Sequence, residues 1–393
     1  MPKKIVLLGA TGSIGESTRR VVNKHPDKLE IVGIAGRKRW RELAKIAHEF
    51  KVLHVGIFDD DAYADAEKSG EFPEGTIFYR GLEGLIELSC LPEAELIASA
   101  VVGTLSLKPT LAAIECGKDI ALASKEILVM AGKVVMAAAR KHNCRILPLD
   151  SEHNAIFQCL QGERDVDIHK LILTASGGPF RDFTAEEMRH VTKAQALKHP
   201  NWDMGPKITI DSSTMANKGL EVIEAHWLFG KNRDQIDVVV HPQSIVHSMV
   251  QYVDGSFIAH LSPPIMTFAI QHSLLYPERA AGVDQTIDFS EVLQLDFRPP
   301  NYELFPCLRL AMEAMDAEGV APAVFNASNE VAVDAFYHEK IGYCDIARVI
   351  EQTLSIVPAC DPDGLDPILE ADTEARRIAA EIVKKIPASS VVV

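Results

Sequence analysis

Short apolar runs alternate with helical stretches along the first part of the chain. Lys4–Leu8 and Glu95–Ser99 have the length and apolar content of buried strands. Trp40–Phe50 and Leu128–Lys141 show the periodicity of helices. Strict alternation of strands and helices predicts an α/β fold whose N-terminal domain, residues 1–150, is a Rossmann-like parallel sheet.

The pattern changes after residue 150. Residues 151–285 mix strands with loops rich in Gly, Pro and His, which predicts a central α+β domain. Residues 286–311 contain prolines and have weak periodicity, so they are predicted to form a linker. Residues 312–393 are predicted to form a C-terminal helical bundle, because apolar side chains recur there at helical spacing, as in Ile346, Val349, Ile350 and Leu354.

Composition narrows the class of protein. The 393 residues are 47% hydrophobic and 24% charged, which excludes a disordered or fibrous chain. No apolar run approaches the ~18–20 residues of a membrane helix, and the N-terminus enters a predicted strand without a signal peptide. The seven cysteines are scattered without a C-x-x-C pair, which is typical of a reducing compartment. A cytoplasmic location is therefore expected.

The formal net charge of −15 disfavours nucleic acid and anionic membrane surfaces as partners. The same charge would repel a phosphorylated substrate from the molecule as a whole. A phosphate site would therefore need local cations, backbone amides or a metal.

A glycine-rich turn stands between the first predicted strand and the first predicted helix. It spans Gly9–Gly15 (GATGSIG) and has the spacing GxxGxxG, not the usual GxGxxG. Such a turn directs backbone N–H groups at a pyrophosphate, so a dinucleotide site is predicted, with a purely structural turn as the alternative. The second strand ends in Gly36–Arg39 (GRKR), three cations where an NAD enzyme would have a carboxylate. This favours NADP, unless the segment is only a solvated basic turn.

Two acidic segments indicate a metal. Asp150 and Glu152 lie where a strand ends and a helix begins, and in an extended chain their side chains would point the same way. Such a pair suits Mg²⁺ or Mn²⁺, and helix capping by Asp150 or Ser151 is the alternative. Glu221, in a second acidic segment, would complete a three-carboxylate site.

The segment Asp211–Glu221 (DSSTMANKGLE) predicts a helix that starts at its Ser/Thr run. Asn217 and Lys218 precede Glu221 by four and three residues, so the three side chains would share one helical face. Ser212 at the helix start and Lys218 would then bind a phosphate, with a surface ion pair as the alternative.

Two loops complete the candidate site. Thr174–Pro179 (TASGGP) is a glycine-rich turn whose amides would approach an anion, unless it is a plain turn. His199–Pro206 (HPNWDMGP) is bracketed by prolines, and a lid loop at about 196–206 is predicted. Packing of Trp202 onto the core is the alternative.

In this order along the chain, five segments resemble the 1-deoxy-D-xylulose 5-phosphate reductoisomerase family: GATGSIG, LPLDSEHNAIFQCL, ILTASGGPF, HPNWDMGPKITIDSSTMANKGLEVIEAHWLFG and VHPQSIVHSMVQY. The resemblance covers essentially the whole chain. It implies rearrangement and reduction of this small phosphorylated sugar to 2-C-methyl-D-erythritol 4-phosphate in non-mevalonate isoprenoid biosynthesis. It also implies NADPH and Mg²⁺ or Mn²⁺ as cofactors, and a homodimer with an NADPH-binding domain, a catalytic domain and a C-terminal helical domain.

The resemblance also assigns roles to residues of this chain. The implied metal ligands are Asp150, Glu152 and Glu221, and the implied catalytic residues are these three with Lys125 and His199. The implied cofactor-binding residues are Thr11, Gly12, Ser13, Ile14, Gly36, Arg37, Lys38, Ser124, Glu126 and Gly205. The implied substrate-binding residues are Lys125, Ser151, Glu152, Ser176, His199, Trp202, Met204, Ser212, Asn217, Lys218 and Glu221.

Three positions depart from the pattern usual in the family. Ser124 replaces Asn, Ile265 in the run Pro264–Met266 replaces Asp, and Arg37 replaces Lys with its charge kept. Two other functions stay open: an NADP-dependent oxidoreductase of a phosphorylated small substrate without skeletal rearrangement, and a non-enzymatic NADPH-binding sensor.

Overall fold

The computed structural model describes residues 1–101, 103–202, 204–290 and 292–387. Asp203 of the predicted lid loop and residues 388–393 of the predicted helical domain lie outside the described residues. The chain divides into two compact units: the first is Met1–Ile127, Val135–Asn154 and Ile265–Ile287, and the second is Leu128–Val134, Ala155–Pro264 and Asp288–Val393. The division into three domains stays a prediction.

Among the described residues of the first unit, seven strands form one parallel sheet in the order β4-β3-β2-β1-β5-β6-β7. The strands are β1 (Lys3–Leu8), β2 (Leu29–Gly36), β3 (His54–Ile57), β4 (Ile77–Arg80), β5 (Leu96–Ser99), β6 (Asp119–Leu122) and β7 (Ile146–Pro148). The central strand β1 pairs in parallel with β2 on one side and β5 on the other. The order reverses at this point, which is where doubly wound sheets bind their ligands. The Rossmann-like prediction is confirmed.

The first seven helices alternate with these strands. In chain order they are α1 (Ser13–Lys24), α2 (Trp40–Phe50), α3 (Asp60–Ser69), α4 (Gly81–Ser89), α5 (Leu107–Glu115), α6 (Lys125–His142), α7 (Ser151–Cys159), α8 (Ala185–Met188), α9 (Lys193–Ala196), α10 (Pro206–Ser213), α11 (Ala216–Phe229), α12 (Thr267–Leu275), α13 (Pro306–Ala317), α14 (Ala321–Tyr337), α15 (Asp345–Ile356) and α16 (Asp366–Lys385). Strand β1 is apolar from Ile5 to Leu8 and has no exposure there, because both faces of a central parallel strand are covered.

In the described part of the second unit, four strands form a mixed sheet in the order β11-β10-β8-β9. They are β8 (Ile168–Ala175), β9 (Ile236–Val240), β10 (Val246–Tyr252) and β11 (Phe257–Leu261). Strands β8 and β9 run parallel, whereas β10 is antiparallel to both β8 and β11. This sheet and its helices confirm the predicted α+β region.

The C-terminal helices share one hydrophobic core with the second sheet. That core joins Leu171 and Leu173 of β8 to Phe325 of α14 and to Ile346 and Ile350 of α15. The predicted helical bundle is confirmed, and α13 already begins at Pro306, within the segment predicted to be linker. Within the described residues, no helix combines the length and apolar content that crossing a membrane requires.

The segment Ile265–Ile287 belongs to the first unit, although the pattern places it with the central domain. Lys3 Nζ on β1 donates to the carbonyl oxygen of Leu274 at 2.8 Å. Arg20 of α1 and Asp284 form an ion pair at 2.5 Å, and Asp284 also accepts from the Thr267 hydroxyl. These long-range contacts hold α12 in the first unit.

Candidate functional site

The glycine turn has the strand–turn–helix context that a dinucleotide site requires. Gly9 has φ +87°, and a Cβ there would lie 2.3 Å from the Ala100 carbonyl oxygen. A Cβ on Gly15 would lie 2.4 Å from the Gly9 carbonyl oxygen. Gly12 directly precedes α1 and provides no side-chain cap, so the first N–H groups of that helix can serve an anion.

The basic segment after β2 lines a cavity next to this turn. The cavity has a volume of about 430 Å³ and is lined by Thr11, Arg37, Lys38 and Arg39. The Arg39 guanidinium donates to the Thr11 carbonyl oxygen, a role for Arg39 that the sequence did not indicate. The basic residues therefore surround the turn as expected for a phosphate-bearing dinucleotide.

The sequence shows no carboxylate at the end of β2, but the structure places one near this cavity from the residues that follow β3. Asp59 lies 3.3 Å from Lys38 Nζ and also accepts from the backbone N–H of Ala62 at the start of α3. The Ala62 N–H and then Lys38 hold the pKa of Asp59 below its usual range. Sequence proximity could not reveal this pair, because parallel pairing of β2 with β3 brings the two strand ends together.

Asp150 and Glu152 lie close together, but not for the reason that the sequence suggested. Strand β7 ends at Pro148 and α7 begins at Ser151, so Glu152 is helical and the extended-chain argument was wrong. Oxygen atoms of the two carboxylates nevertheless lie within 4.8 Å of one another. Ser151 Oγ donates to Glu152 at 2.5 Å. The pair therefore offers oxygen ligands from the carboxyl edge of the sheet.

Lys125, at the start of α6, forms an ion pair with Asp150. The lysine is only 6% exposed, so its positive charge offsets the negative charge of a carboxylate that has little access to water. Glu126 is the next residue of α6 and is also buried. Ser124 precedes the helix, and its hydroxyl donates to the Val101 carbonyl oxygen.

In the second unit, two serines converge on one histidine. Ser176 and Ser212 place their Oγ atoms 3.1 Å and 3.0 Å from His199 Nε2. The other ring nitrogen, Nδ1, accepts from the backbone N–H groups of Asn201 and Trp202 at 3.1 Å and 3.0 Å. Because Nδ1 accepts, the hydrogen of a neutral His199 ring lies on Nε2, and this single N–H is shared between the two serine oxygens. These bonds tie the predicted lid loop to both serines.

Ser176 begins the glycine turn after β8, as predicted. Gly177 and Gly178 have φ +77° and +66°, a conformation that favours glycine, and the Gly178 N–H donates to Ser176 Oγ at 3.2 Å. A Cβ on Gly178 would lie 2.8 Å from the Ser212 carbonyl oxygen. The turn therefore packs directly against the backbone that carries Ser212.

Ser212 does not start a helix, and that prediction was wrong. It lies in the last turn of α10, which begins at Pro206, while α11 begins only at Ala216. The hydroxyls of Ser213 and Thr214 donate back to carbonyl oxygens three residues earlier, and Thr214 Oγ1 also accepts from the N–H of Ala216, the first residue of α11, at 3.3 Å. Ser212 therefore presents its hydroxyl from the end of α10 and not from the start of a helix.

The predicted helical face on α11 is confirmed. Lys218 forms an ion pair with Glu221, and Asn217 Nδ2 donates to the same carboxylate at 2.5 Å. Glu221 is 1% exposed and Lys218 is 4% exposed, so a simple surface ion pair is excluded.

The lid residues lie between α9 and α10. The Trp202 ring is half-buried and meets the His247 ring edge-on at a centroid distance of 6.5 Å. Met204 is also half-buried, and Gly205 is the residue before the first turn of α10. Trp202 therefore packs against His247 of β10.

Comparison with known proteins decides the family. Models described as 1-deoxy-D-xylulose 5-phosphate reductoisomerase, its C-terminal domain, and the DXP reductoisomerase C-terminal domain match residues 5–132, 146–229 and 261–378. The reductoisomerase of Pelodictyon phaeoclathratiforme is 49% identical over 381 residues, covering 97% of this chain and 100% of the relative. That of Burkholderia cenocepacia is 47% identical over 398 residues, covering 100% and 99%. The chain belongs to the 1-deoxy-D-xylulose 5-phosphate reductoisomerase family.

Solved reductoisomerase structures have the same fold. One from Zymomonas mobilis, in complex with NADPH, has a TM-score of 0.92 at 40% identity and covers 98% of this chain and 100% of its own. Another, in complex with NADPH, fosmidomycin and magnesium, has a TM-score of 0.90 at 41% identity and covers 97% and 98%. The resemblance is confirmed, and the chain is an enzyme that isomerises and reduces 1-deoxy-D-xylulose 5-phosphate.

Proposed function

We propose that this reductoisomerase uses NADPH and a divalent metal, Mg²⁺ or Mn²⁺, to form 2-C-methyl-D-erythritol 4-phosphate. The observation that supports it best is the convergence of Ser176 and Ser212 on His199, because three hydrogen-bonding groups at one place suit a phosphate on an acidic protein. An oxidoreductase without rearrangement is not favoured, since the relatives that match this chain from end to end are named reductoisomerases.

The first unit is proposed to bind NADPH at the glycine turn. Residues 11–14 would meet the pyrophosphate with N–H groups, and Arg37 and Lys38 would meet the 2′-phosphate. The glycines at positions 9 and 15 fit this role, because no side chain could occupy either place. Ser124, Glu126 and Gly205 are proposed for the nicotinamide side.

Asp150, Glu152 and Glu221 are proposed to bind the metal. Their carboxylate oxygens are the donors that Mg²⁺ and Mn²⁺ prefer. The bound cation supplies a Lewis acid that polarises the substrate carbonyl. Lys125 beside Asp150 is proposed to stabilise negative charge on a substrate oxygen, as a cation that is already in place.

The second unit is proposed to bind the sugar phosphate. Ser176, Ser212, His199, Asn217 and Lys218 would hold the phosphate end, so that its binding energy positions the reacting end. Ser151, Trp202 and Met204 are proposed as further substrate contacts. Because His199 also accepts from the N–H groups of residues 201 and 202, phosphate binding would order the lid and exclude water.

A coupled assay tests the proposed function. Purified protein should oxidise NADPH only when 1-deoxy-D-xylulose 5-phosphate and Mg²⁺ or Mn²⁺ are both present, and NMR should show a branched product. Turnover that persists in excess chelator would exclude the metal role. An unbranched product would exclude the rearrangement.

A homodimer and a cytoplasmic location are also proposed. Strand β11 lies at the edge of its sheet with exposed Phe257, Ile258 and Leu261, so it offers an apolar edge to a second copy.

The described cysteines are free thiols, which supports the proposed location in a reducing compartment, the cytoplasm. Cell fractionation checks the location.

A further inference from the structure

Residues from the C-terminal helical region hold the two serines of the proposed phosphate site. The link is Tyr343, which lies in the loop before α15 and is 5% exposed. Its hydroxyl donates to the Ser213 carbonyl oxygen at 2.6 Å, although 130 positions separate the two residues. Ser213 directly follows Ser212 in the chain, so this bond holds the backbone next to Ser212.

The ring of Tyr343 reaches the other serine through Phe180. The two ring centroids lie 5.2 Å apart in an edge-on arrangement, and Phe180 is 1% exposed. Phe180 follows the turn that begins at Ser176. Tyr343 therefore contacts, with its hydroxyl and its ring, both segments that present serines to His199.

A second buried bond acts on the same end of α10. Asn329 Nδ2 on α14 donates to Asp211 Oδ1 at 2.9 Å, and both side chains are almost fully buried. Asp211 also forms an ion pair with Lys207 at 2.8 Å, one turn earlier on α10. The residues on both sides of Ser212 are thus fixed from the C-terminal helical region, whereas the Ser212 hydroxyl itself faces His199.

We propose that Tyr343 is a positioning residue that sets the distance between Ser176 and Ser212 for the substrate phosphate. The proposal rests on the phosphate role of these serines given above. Burial raises the pKa of Tyr343 well above its ordinary value, so the phenol keeps its proton and donates at every working pH. The C-terminal helices therefore contribute to substrate affinity without touching the substrate.

The variant Tyr343→Phe removes only the hydroxyl and keeps the ring between Phe180 and Phe336. We expect KM for 1-deoxy-D-xylulose 5-phosphate to rise about tenfold, with kcat changed less than about twofold. The Kd for NADPH, measured by fluorescence, should not change. A purely structural role would instead lower the amount of active enzyme and leave KM unaltered.

Tyr252→Phe is the matched control. The Tyr252 hydroxyl is also buried and donates to a backbone carbonyl, that of Cys159, at 2.8 Å, and Tyr252 pairs with Ile168 at the opposite end of β8 from Ser176. Both variants should lose similar thermal stability, and only Tyr343→Phe should raise KM. An unchanged KM in Tyr343→Phe, or an equal rise in Tyr252→Phe, would overturn the proposal.

Ser212→Ala separates this inference from the proposed function. Adding Tyr343→Phe to Ser212→Ala should raise KM by less than about twofold, because both changes act on one interaction. A full, independent tenfold rise in that background would contradict positioning through Ser212. If Ser212→Ala alone leaves KM unchanged, the phosphate role of Ser212 fails and the inference fails with it. Phe180→Leu, which removes the ring contacts of Phe180 with Tyr343 and Phe183, should also raise KM.

Discussion

At the scale of single residues, the site depends on buried charges that have partners. Glu221 is almost fully buried, and its carboxylate accepts from Lys218 and Asn217. A buried carboxylate without such donors would be costly, and removing one partner leaves the other charge unpaired. The same donors fix the orientation of the carboxylate that is proposed to bind the cation.

Glu221→Gln tests the metal role of this carboxylate. We expect kcat to fall at least about 100-fold, because an amide is a weaker ligand and loses the negative charge. NADPH oxidation as a function of Mg²⁺ concentration measures the effect. Glu330→Gln is the control, since Glu330 pairs with Arg376 between α14 and α16 and should not alter Mg²⁺ dependence. Equal rates in wild type and Glu221→Gln would disprove the assignment.

Gly178 provides a second test at a single position. Gly178→Ala should destabilise the protein by about 1–3 kcal/mol and raise KM for the sugar phosphate, because the new Cβ would clash with the Ser212 carbonyl. Gly230→Ala is a close control, with φ +63° compared with +66° and open space around its Cβ. Urea denaturation and steady-state kinetics compare the two. A similar change in KM for both would show that the contact with Ser212 does not matter.

Residue identities were easier to predict than residue geometry. Asn217, Lys218 and Glu221 share a face because helical spacing alone decides it. Asp150 and Glu152 were paired by an argument about an extended chain, yet Glu152 is helical. The helix start expected at Ser212 is a helix end, because α10 already begins at Pro206.

At the scale of elements, the hydrophobic pattern predicts strands with buried side chains well and strands without them poorly. Helix α2 matches its predicted range, Trp40–Phe50. Strands β4 and β11 lie at sheet edges and were not predicted, because none of their side chains is buried. Without a buried face, an edge strand has no strong alternation of apolar and polar residues.

Helix α12 supports the segment that carries Asp150 and Glu152. Asn154 of α7 donates to His272 Nδ1 at 3.1 Å and to Ser273 Oγ at 2.9 Å. Ser273 Oγ in turn donates to the Pro148 carbonyl oxygen at 2.6 Å. Burial, and then the nearby charge of Arg279, lower the pKa of His272 to about 4. The helix therefore holds both ends of the β7–α7 connection.

His272 should make the stability of the protein depend on pH. Its pKa is depressed in the folded state, so stability is complete above about pH 6.5 and falls as the pH drops toward 4. The free energy of unfolding should fall by about 1–2 kcal/mol over this range. This is less than the full pKa shift would give, because part of the ring is in contact with solvent. His272→Asn keeps an acceptor without titrating and should flatten this dependence in denaturation curves. A pH profile unchanged by His272→Asn would refute the assignment.

At the scale of the whole molecule, the proposed homodimer depends on β11. Ile258→Lys places a charge on this exposed edge and should raise the dimer dissociation constant at least about tenfold. Sedimentation velocity over a range of protein concentrations measures it. Val166→Lys adds the same charge at another exposed apolar position and should leave association unchanged. A wild-type monomer at all concentrations would contradict the dimer, and dimers retained by Ile258→Lys would place its interface elsewhere.

Global charge says little about the ligands of this protein. The net charge of −15 opposes phosphate binding at long range, whereas Arg37, Lys38 and Lys218 provide positive charge at the two proposed phosphate sites. Long-range repulsion is screened within about 10 Å at ordinary salt, so local donors decide binding.

By itself, the sequence determined the fold class, the family and the identity of most candidate site residues. Periodicity and short motifs are local properties, and they are readable without coordinates. Only the tertiary structure decided that Asp59 pairs with Lys38, that α12 returns to the first unit, and that Tyr343 holds the serine segments. Each of these contacts joins residues far apart in the chain or on different strands. Such contacts arise from packing of whole elements, which no local pattern encodes.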